Sequence, residues 1–494
     1  MTPRLWPGEF GEMIMRLRLP QSVVQLFFWF EEAGAALWLV GGCLRDLSLG
    51  RAPVDWDFST NLPPEDTAGL CQSLGCQTYM TGLKHGTVTV VYRNEAFEIT
   101  TFRKDGPYGD HRRPDYVQFS QDITDDLSRR DFTVNSMAYS PSRGWLDPFG
   151  GLNDLNDRVI RAVGDPQKRF AEDALRILRG IRFSSQFGFR VDPETMAAMR
   201  RLGPDLERIS RERVQYELNR ILLSDQPGSG FRLLASLGLL QWTVPEFMPC
   251  VGFDQKSRHH HLDVFEHSLC VTESCPADLI TRLAALFHDI GKPACFSEDK
   301  DGRGHFYGHE RLGASMSEQI MKRLKYDRTT VQAVRLIVLH HMAHLSAPGE
   351  VRVKKLLALL GENNIRRLFR MQRADLQASR PPHDFSSIER LEAWADRIIA
   401  GHEPLTLKDL AVDGHDLIEW HVAPRERSKV LNCLLEAVYE NPRLNSREQL
   451  RPLAMAMLVP QEPNAVKDGR QDAAPTDASF TVPVGRPTAA RDRP

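Results

Sequence analysis

The chain is 494 residues long, 41% apolar and 26% charged, with a formal net charge of −2 at pH 7. That length exceeds one ordinary core and predicts three or four domains. The charge balance argues neither for nor against nucleic acid, so any RNA footprint is a local patch. Eight cysteines with no CxxC pair and no regular spacing exclude a disulfide framework and read as reduced intracellular thiols, the pairs Cys71–Cys76 and Cys270–Cys275 being incidental.

The first twenty residues lack a signal-peptide core and cleavage site, and the apolar run 22–40 is interrupted by Glu31, Glu32 and Gly34 before it could span a membrane. The expected location is cytoplasmic, without membrane contact. Val23 to Phe30 reads as a short helix that props a buried strand, Leu37 to Val40. The stretch Val40 to Ser59 follows, VGGCLRDLSLGRAPVDWDFS. Gly41 and Gly42 remove side chains where the strand ends, so a phosphate can approach backbone N–H groups, and Arg45 adds a planar cation. Asp55 and Asp57 bracket Trp56 in an extended segment. Strand side chains alternate, so both carboxylates emerge on one face and repel unless a cation lies between them. A hard divalent ion shared with substrate phosphates, usually magnesium, fits such a pair.

Pro64 opens another helix ending near Gly75, and two alternating strands follow, Thr87 to Tyr92 and Phe97 to Phe102. Glu98, on the second, is a candidate third carboxylate. The stretch 101–119 carries a Gly-Pro turn and cationic side chains before a strand resumes at Tyr116 to Phe119. In LSRRDFTVNSMA, Arg129 and Arg130 can neutralise triphosphate oxygens, Asn135 can hydrogen-bond a ribose hydroxyl or phosphate, and Asp131 is expected to orient an arginine. Glu172 to Phe183, EDALRILRGIRF, reads as one helix with Asp173, Arg176, Arg179 and Arg182 three apart on a charged face. Asp173 and Arg176 can present an acceptor beside a donor. Cytosine and adenine offer the complementary order, whereas uracil and guanine leave the pair unsatisfied. The chain from Pro193 to about Leu240 is helical, with Arg208, Arg211, Arg213 and Arg220 clustered in it.

These motifs together resemble the DNA polymerase β nucleotidyltransferase superfamily, and more narrowly the class II tRNA nucleotidyltransferases (CCA-adding enzymes) and their bacterial poly(A) polymerase relatives. The resemblance rests on the GG, RD and DxD of residues 41–57, on RRDFTVNS at 129–136, where Ser136 replaces the commoner alanine, and on EDALR at 172–176. It implies that Asp55 and Asp57 bind Mg2+ for a two-metal attack of an RNA 3′ hydroxyl on the α-phosphorus of CTP or ATP. It also implies that the loop Arg103 to Arg113 serves the final A addition, that Asp173 and Arg176 select the base, and that Arg179 and Arg182 face the nucleotide phosphates or the primer end. The basic helices after Pro193 then correspond to a neck that binds the tRNA acceptor arm.

Farther on, HHHLDVFEHSL, AALFHDIGK, FYGHERLG, IVLHHM and MQRADLQAS resemble an HD domain, a helical fold of metal-dependent phosphohydrolases. The resemblance implies His267, His288, Asp289 and Asp375 as ligands, and suits Mn2+, Ni2+, Co2+, Fe or Mg2+. His309, His340 and His341 fall where some active members place further ligands, and His259, His260 and His261 receive no ligand role. Leu391 to Ile399 and Arg427 to Tyr439 are the clearest later helices, and the stretch beyond about Gln461 has a disordered composition. The expected fold class is α+β: a polymerase-β-like nucleotidyltransferase head (22–163), then an all-helical neck (164–250), an HD domain (259–380), a helical body and tail (386–460) and a disordered end (461–494). The expected function is template-independent CCA addition to tRNA from CTP and ATP, with no obligate protein partner. Poly(A) polymerisation, A-only or CC-only addition, and an HD phosphohydrolase with an RNA-binding head are the alternatives.

Overall fold

The computed structural model describes residues 17, 19–82, 86–109, 114–257, 261–345 and 349–458. The expected disordered end, His259, His260, the tip of the 103–113 loop and nearly all of the first twenty residues lie outside the described residues. Two compact units divide at Leu405 and Thr406. No helix among the described residues is long and apolar enough to cross a membrane.

The first unit begins with a seven-stranded sheet. Its strands are β1 (Leu37–Val40), β2 (Asp57–Thr60), β3 (Gln77–Gly82), β4 (Thr87–Tyr92), β5 (Glu95–Thr101), β8 (Ala138–Ser140) and β9 (Gly144–Leu146), in spatial order β3-β4-β5-β2-β1-β8-β9. A separate hairpin joins β6 (Arg103–Asp105) to β7 (Val117–Phe119). The run LWLV is apolar at every position because β1 is covered on both faces. Leu37 and Leu39 join the main core, and Trp38 and Val40 pack with Phe102, Ile123, Leu127 and Ala138 on the other side. Gly41 then turns the chain at φ 77° into the helix Gly42–Ser48. A side chain there would be strained by that φ, and its Cβ would lie 2.8 Å from Arg130 Nη1.

Register decides what meets at this end of the sheet. β2 pairs antiparallel with β1 and parallel with β5, which sets Asp57 directly opposite Glu98. The strand begins at Asp57, so Asp55 stands just ahead of it rather than inside a continuous strand.

EDALRILRGIRF is not one helix. One helix, Pro166–Glu172, ends and another, Leu175–Phe187, begins, because Asp173 is extended (φ −149°, ψ 104°) and its Oδ1 accepts the Leu175 N–H at 3.1 Å. A short acidic side chain thus competes with the helical ladder and starts the second helix instead. Gly180 lets that helix sit against Phe132 and Met199, which an added methyl would overlap. Phe132 of the RRDF motif is therefore packed against the helix that carries Arg176, Arg179 and Arg182.

Helices follow from Pro193 onward, and the histidine-rich segment folds as Val264–Ser274, Leu279–Phe287, His309–Arg323, Arg328–His340 and Glu350–Ala378, the last kinked at Gly361, with Ser386–Ala400 packed beside it. Aspartates at 263, 278 and 327 cap three of these helices by accepting backbone N–H groups. The second unit is a small helical body, Gly414–Glu419, Pro424–Glu440 and Arg447–Ala456, around Leu417, Trp420, Leu434, Val438 and Leu450. All eight cysteines are unpaired thiols.

Candidate functional site

A cavity of about 690 Å³ opens at the end of β1 and β2. Its walls hold Gly41, Gly42, Arg45, Asp55, Asp57, Arg129, Arg130, Asn135, Asp173, Arg176, Arg179 and Arg182, residues that lie up to 141 positions apart in the chain. Glu98 stands beside Asp57 in the sheet without lining the cavity. Burial, then the charge of Asp55, push the Asp57 carboxyl up to about 6; Arg130 pulls it down and Glu98 adds to the rise. Carboxylates held together against their own repulsion, with one partly desolvated, are a donor set that fits a hard divalent cation.

The arginines are held by a protein framework. Arg129 Nη2 lies 2.5 Å from Asp126 Oδ1 and Arg130 Nη2 3.2 Å from Asp126 Oδ2. Asp126 is fully buried, and the two guanidinium groups hold its carboxyl below the usual range despite the cost of burial. Arg45 donates to Asn135 Oδ1 at 2.6 Å and to Asp46, and stacks over Phe187 at 4.8 Å. Asn135 Nδ2 donates to Asp131 at 3.1 Å, and Asp131 in turn holds Arg179 at 2.6 Å. Asp131 thus orients an arginine, as its sequence context suggested. Asn135, read from the sequence as a ligand of ribose or phosphate, is here tied to Arg45 and Asp131. Arg182 pairs with buried Glu217 at 2.7 Å and lies 4.2 Å over the Phe183 ring.

Asp173 and Arg176 share the cavity but are not each other's partners. Arg213 contacts both oxygens of Asp173, at 2.7 and 3.4 Å. Arg176 gives Nη1 to Glu172 at 2.7 Å and to the Arg169 carbonyl at 3.0 Å, and Nη2 to the Arg129 carbonyl at 3.1 Å. What remains is an acceptor position on Asp173, and Nε with one Nη2 hydrogen on Arg176, among the described residues. Sequence reasoning missed Asp126, Glu172 and Arg213 as members of this site. The i, i+3 and i, i+4 spacings of Asp126 to Arg129 and Arg130, and of Glu172 to Arg176, were available as signals; Arg213, 40 positions from Asp173, carried none.

A second constellation lies among the later helices. His267, His288 and Asp375 form one group, and Asp289, His309 and His341 another, each with ligand atoms within 4.8 Å of one another. Asp289 connects them. Its Oδ2 is 3.1 Å from His288 Nε2 and 3.7 Å from His267 Nε2, while Oδ1 is 3.5 Å from His309 Nε2 and 3.8 Å from His341 Nε2. The Nδ1 atoms of His288, His309 and His341 face the carbonyls of Ala285, Phe306 and Val338 at 2.7–2.8 Å. A carbonyl only accepts, so Nδ1 carries the proton and Nε2 is turned inward, the arrangement a metal ligand needs. His340 belongs to neither group. Against the opposing effect of burial, Asp289 and Asp375 raise the His288 pKa to about 9. Burial and then the neighbouring His288 lower that of His341 to about 3. Lys292, also missed although it follows Asp289 by three, sets Nζ 2.7 Å from Asp289 Oδ2 and 2.8 Å from Gln255 Oε1.

Residues 37–161 match the family described as Poly A polymerase head domain, 188–250 the probable RNA and SrmB-binding site of polymerase A, and 258–379 the HD domain. The crystal structure of the Bacillus stearothermophilus CCA-adding enzyme in complex with CTP superposes with a TM-score of 0.67 at 28% identity, over 88% of this chain and 97% of that one. Fold and cavity are thus those of a polymerase-type nucleotidyltransferase head joined to helical domains. An A-adding tRNA nucleotidyltransferase of Deinococcus radiodurans is 36% identical over 325 residues, which is 64% of this chain and 70% of the relative. The chain belongs to the tRNA nucleotidyltransferase and poly(A) polymerase family, in the form that carries an HD domain. The CCA-adding enzyme of Levilactobacillus brevis is 43% identical over 217 residues, 44% of this chain and 53% of that enzyme. The chain spans about half the length of such curated relatives. Both the nucleotidyltransferase and HD parts imply the use of divalent metal.

Proposed function

We propose that this chain is a cytoplasmic enzyme that adds C, C and A to the 3′ end of tRNA from CTP and ATP, without a nucleic-acid template. The observation that carries this reading is the single cavity that gathers paired aspartates, phosphate-sized arginine pairs and the Asp173–Arg176 acceptor and donor. Asp55 and Asp57, with Glu98 beside them, would hold Mg2+, which supplies Lewis-acid activation of the attacking oxygen and charge neutralisation at the triphosphate. The backbone at Gly41 and Gly42 admits the phosphates. Arg130, held by Asp126 and packed on Gly41, and Arg129 beside it oppose the charge of the departing pyrophosphate. Arg213 holds Asp173 oriented as an acceptor, while Glu172 and two carbonyls fix the plane of Arg176. A cytosine or adenine edge then completes both side chains, and uracil or guanine leaves a donor facing a donor.

The relevant test presents purified protein with tRNA transcripts ending before CCA, after C and after CC, each with single nucleotides. Stepwise C, C, A incorporation is expected, and U and G are refused. Because the Deinococcus relative adds A, incorporation of A alone onto CC ends is the second reading. Long A tails on unrelated RNA would replace both.

For the later helices we propose a divalent-metal phosphohydrolase site, held by His267, His288, Asp289 and Asp375, with His309 and His341 completing a second position. Its support is the inward orientation of the Nε2 atoms on both oxygens of Asp289. Metal content by elemental analysis after loading with Mn2+, Ni2+, Co2+ or Mg2+ tests it, and His288→Ala is expected to lower that content.

A further inference from the structure

Seven of the eight arginines lining the nucleotide cavity are held by protein side chains: Arg45, Arg129, Arg130, Arg176, Arg179, Arg182 and Arg213 all face a carboxylate. Arg220 is the exception. It is exposed and has no carboxylate or carbonyl partner among the described residues. One turn earlier on the same helix, Arg211–Leu222, Tyr216 is 55% exposed and lines the same cavity. Spacing of four places the two on one helical face. Gln186, on the helix Leu175–Phe187, lines the cavity with them and also lacks a side-chain partner among the described residues.

An aromatic ring left uncovered beside an uncompensated guanidinium is the pairing that holds single-stranded RNA, the ring taking a base face and the cation a phosphate. The incoming nucleotide already has its cations at the end of β1 and its base partners in Asp173 and Arg176, so these three side chains remain for another ligand that must enter the same cavity. We propose that Tyr216, Arg220 and Gln186 form the seat of the RNA primer's 3′-terminal nucleotide. Tyr216 stacks on the terminal base, Arg220 holds its 5′-side phosphate, and Gln186 donates or accepts at the base edge or ribose. This rests on the nucleotidyl-transfer reading above and adds the residues that deliver the attacking hydroxyl. Tyr216 has no chemical role here; it positions the primer.

The experiment uses the full chain and an RNA hairpin bearing a 3′ single-stranded overhang, with a blunt hairpin as control. Binding is measured first without nucleotide, and then the KM values for RNA and for CTP are measured separately. Tyr216→Ala should weaken overhang binding and raise the RNA KM about tenfold, with the CTP KM within about twofold and blunt-hairpin binding unchanged; Tyr216→Phe should restore the wild-type value. Arg220→Ala should weaken overhang binding severalfold and reduce the salt slope by about one, and Arg220→Lys should recover the slope. A rise in the CTP KM with unchanged overhang binding would assign these residues to the incoming nucleotide and overturn the proposal, as would loss confined to the blunt hairpin or no change in either. If the chain proves unable to transfer any nucleotide, the transfer reading fails, while the overhang and blunt binding comparison still decides the seat.

Discussion

The nucleotide cavity and the histidine cluster both gather acidic groups, yet they treat those groups in opposite ways. In the cavity, Asp57 faces Asp55 and Glu98, and its carboxyl rises to about 6. Among the later helices, imidazoles and Lys292 surround Asp289 and hold it well below the ordinary range despite complete burial. In the first site burial and carboxylate repulsion outweigh the pull of Arg130 on Asp57, so the site calls for a cation from solution. The second already contains its counter-charges, so an incoming ion must displace protons and the Lys292 ammonium.

The largest expected effect breaks the first site alone. Asp57→Asn should lower nucleotide incorporation by about a thousandfold or more by removing a metal ligand, and metal bound at the histidine cluster should be unchanged by elemental analysis. The same substitution removes a like-charge repulsion, so the melting temperature in magnesium-free buffer should stay level or rise. A reciprocal cut, His288→Ala, should empty the histidine cluster and leave nucleotide incorporation within about twofold; a joint loss of both would mean that the two sites are not independent.

Selectivity is the next smaller effect. Arg213→Ala should reduce discrimination of C and A over U and G about tenfold, the order of one well-oriented hydrogen-bond pair. Arg213→Lys should recover part of it, and a loss of overall rate with discrimination intact would deny Arg213 its role on Asp173.

The smallest effects are pH-dependent, with the same sign at the two sites and different windows. Asp57 has a folded pKa above its unfolded value, so the metal-free protein binds more protons than the unfolded chain between about 4 and 6 and loses stability as pH rises through that window. Mg2+ should therefore raise the melting temperature more at pH 7.5 than at pH 5.5, read by thermal scans with and without the ion. His288 is also raised, to about 9, which contributes stability below 6.5 that is lost as pH climbs through 9. Uptake of Mn2+ or Ni2+ must expel that proton, so affinity at the cluster should increase from pH 6.5 to 9 in a competition assay.

The parts of the molecule readable from sequence are those whose partners lie within a turn or a strand pair. GG at a strand end and the helix-spaced arginines after Asp173 carry their geometry in their spacing, and so do His288 and Asp289 as neighbours, whereas the strand begins only at Asp57 and leaves Asp55 ahead of it. The expectation of one helix through Glu172 to Phe183 failed because spacing does not reveal that Asp173 leaves the helical region to cap the next helix. Glu98 could not be placed until the parallel pairing of β2 with β5 set it opposite Asp57.

Sequence alone determined which chemical groups are present, and in which order: two acidic clusters, Asp173 with Arg176, and the helices around them. Tertiary structure decided who holds whom. Arg213 on Asp173, Glu217 on Arg182, and His341 against Asp289 join residues 35 to 52 positions apart. Local spacing cannot encode such pairs, because helix packing and strand register choose them only when the chain has closed on itself.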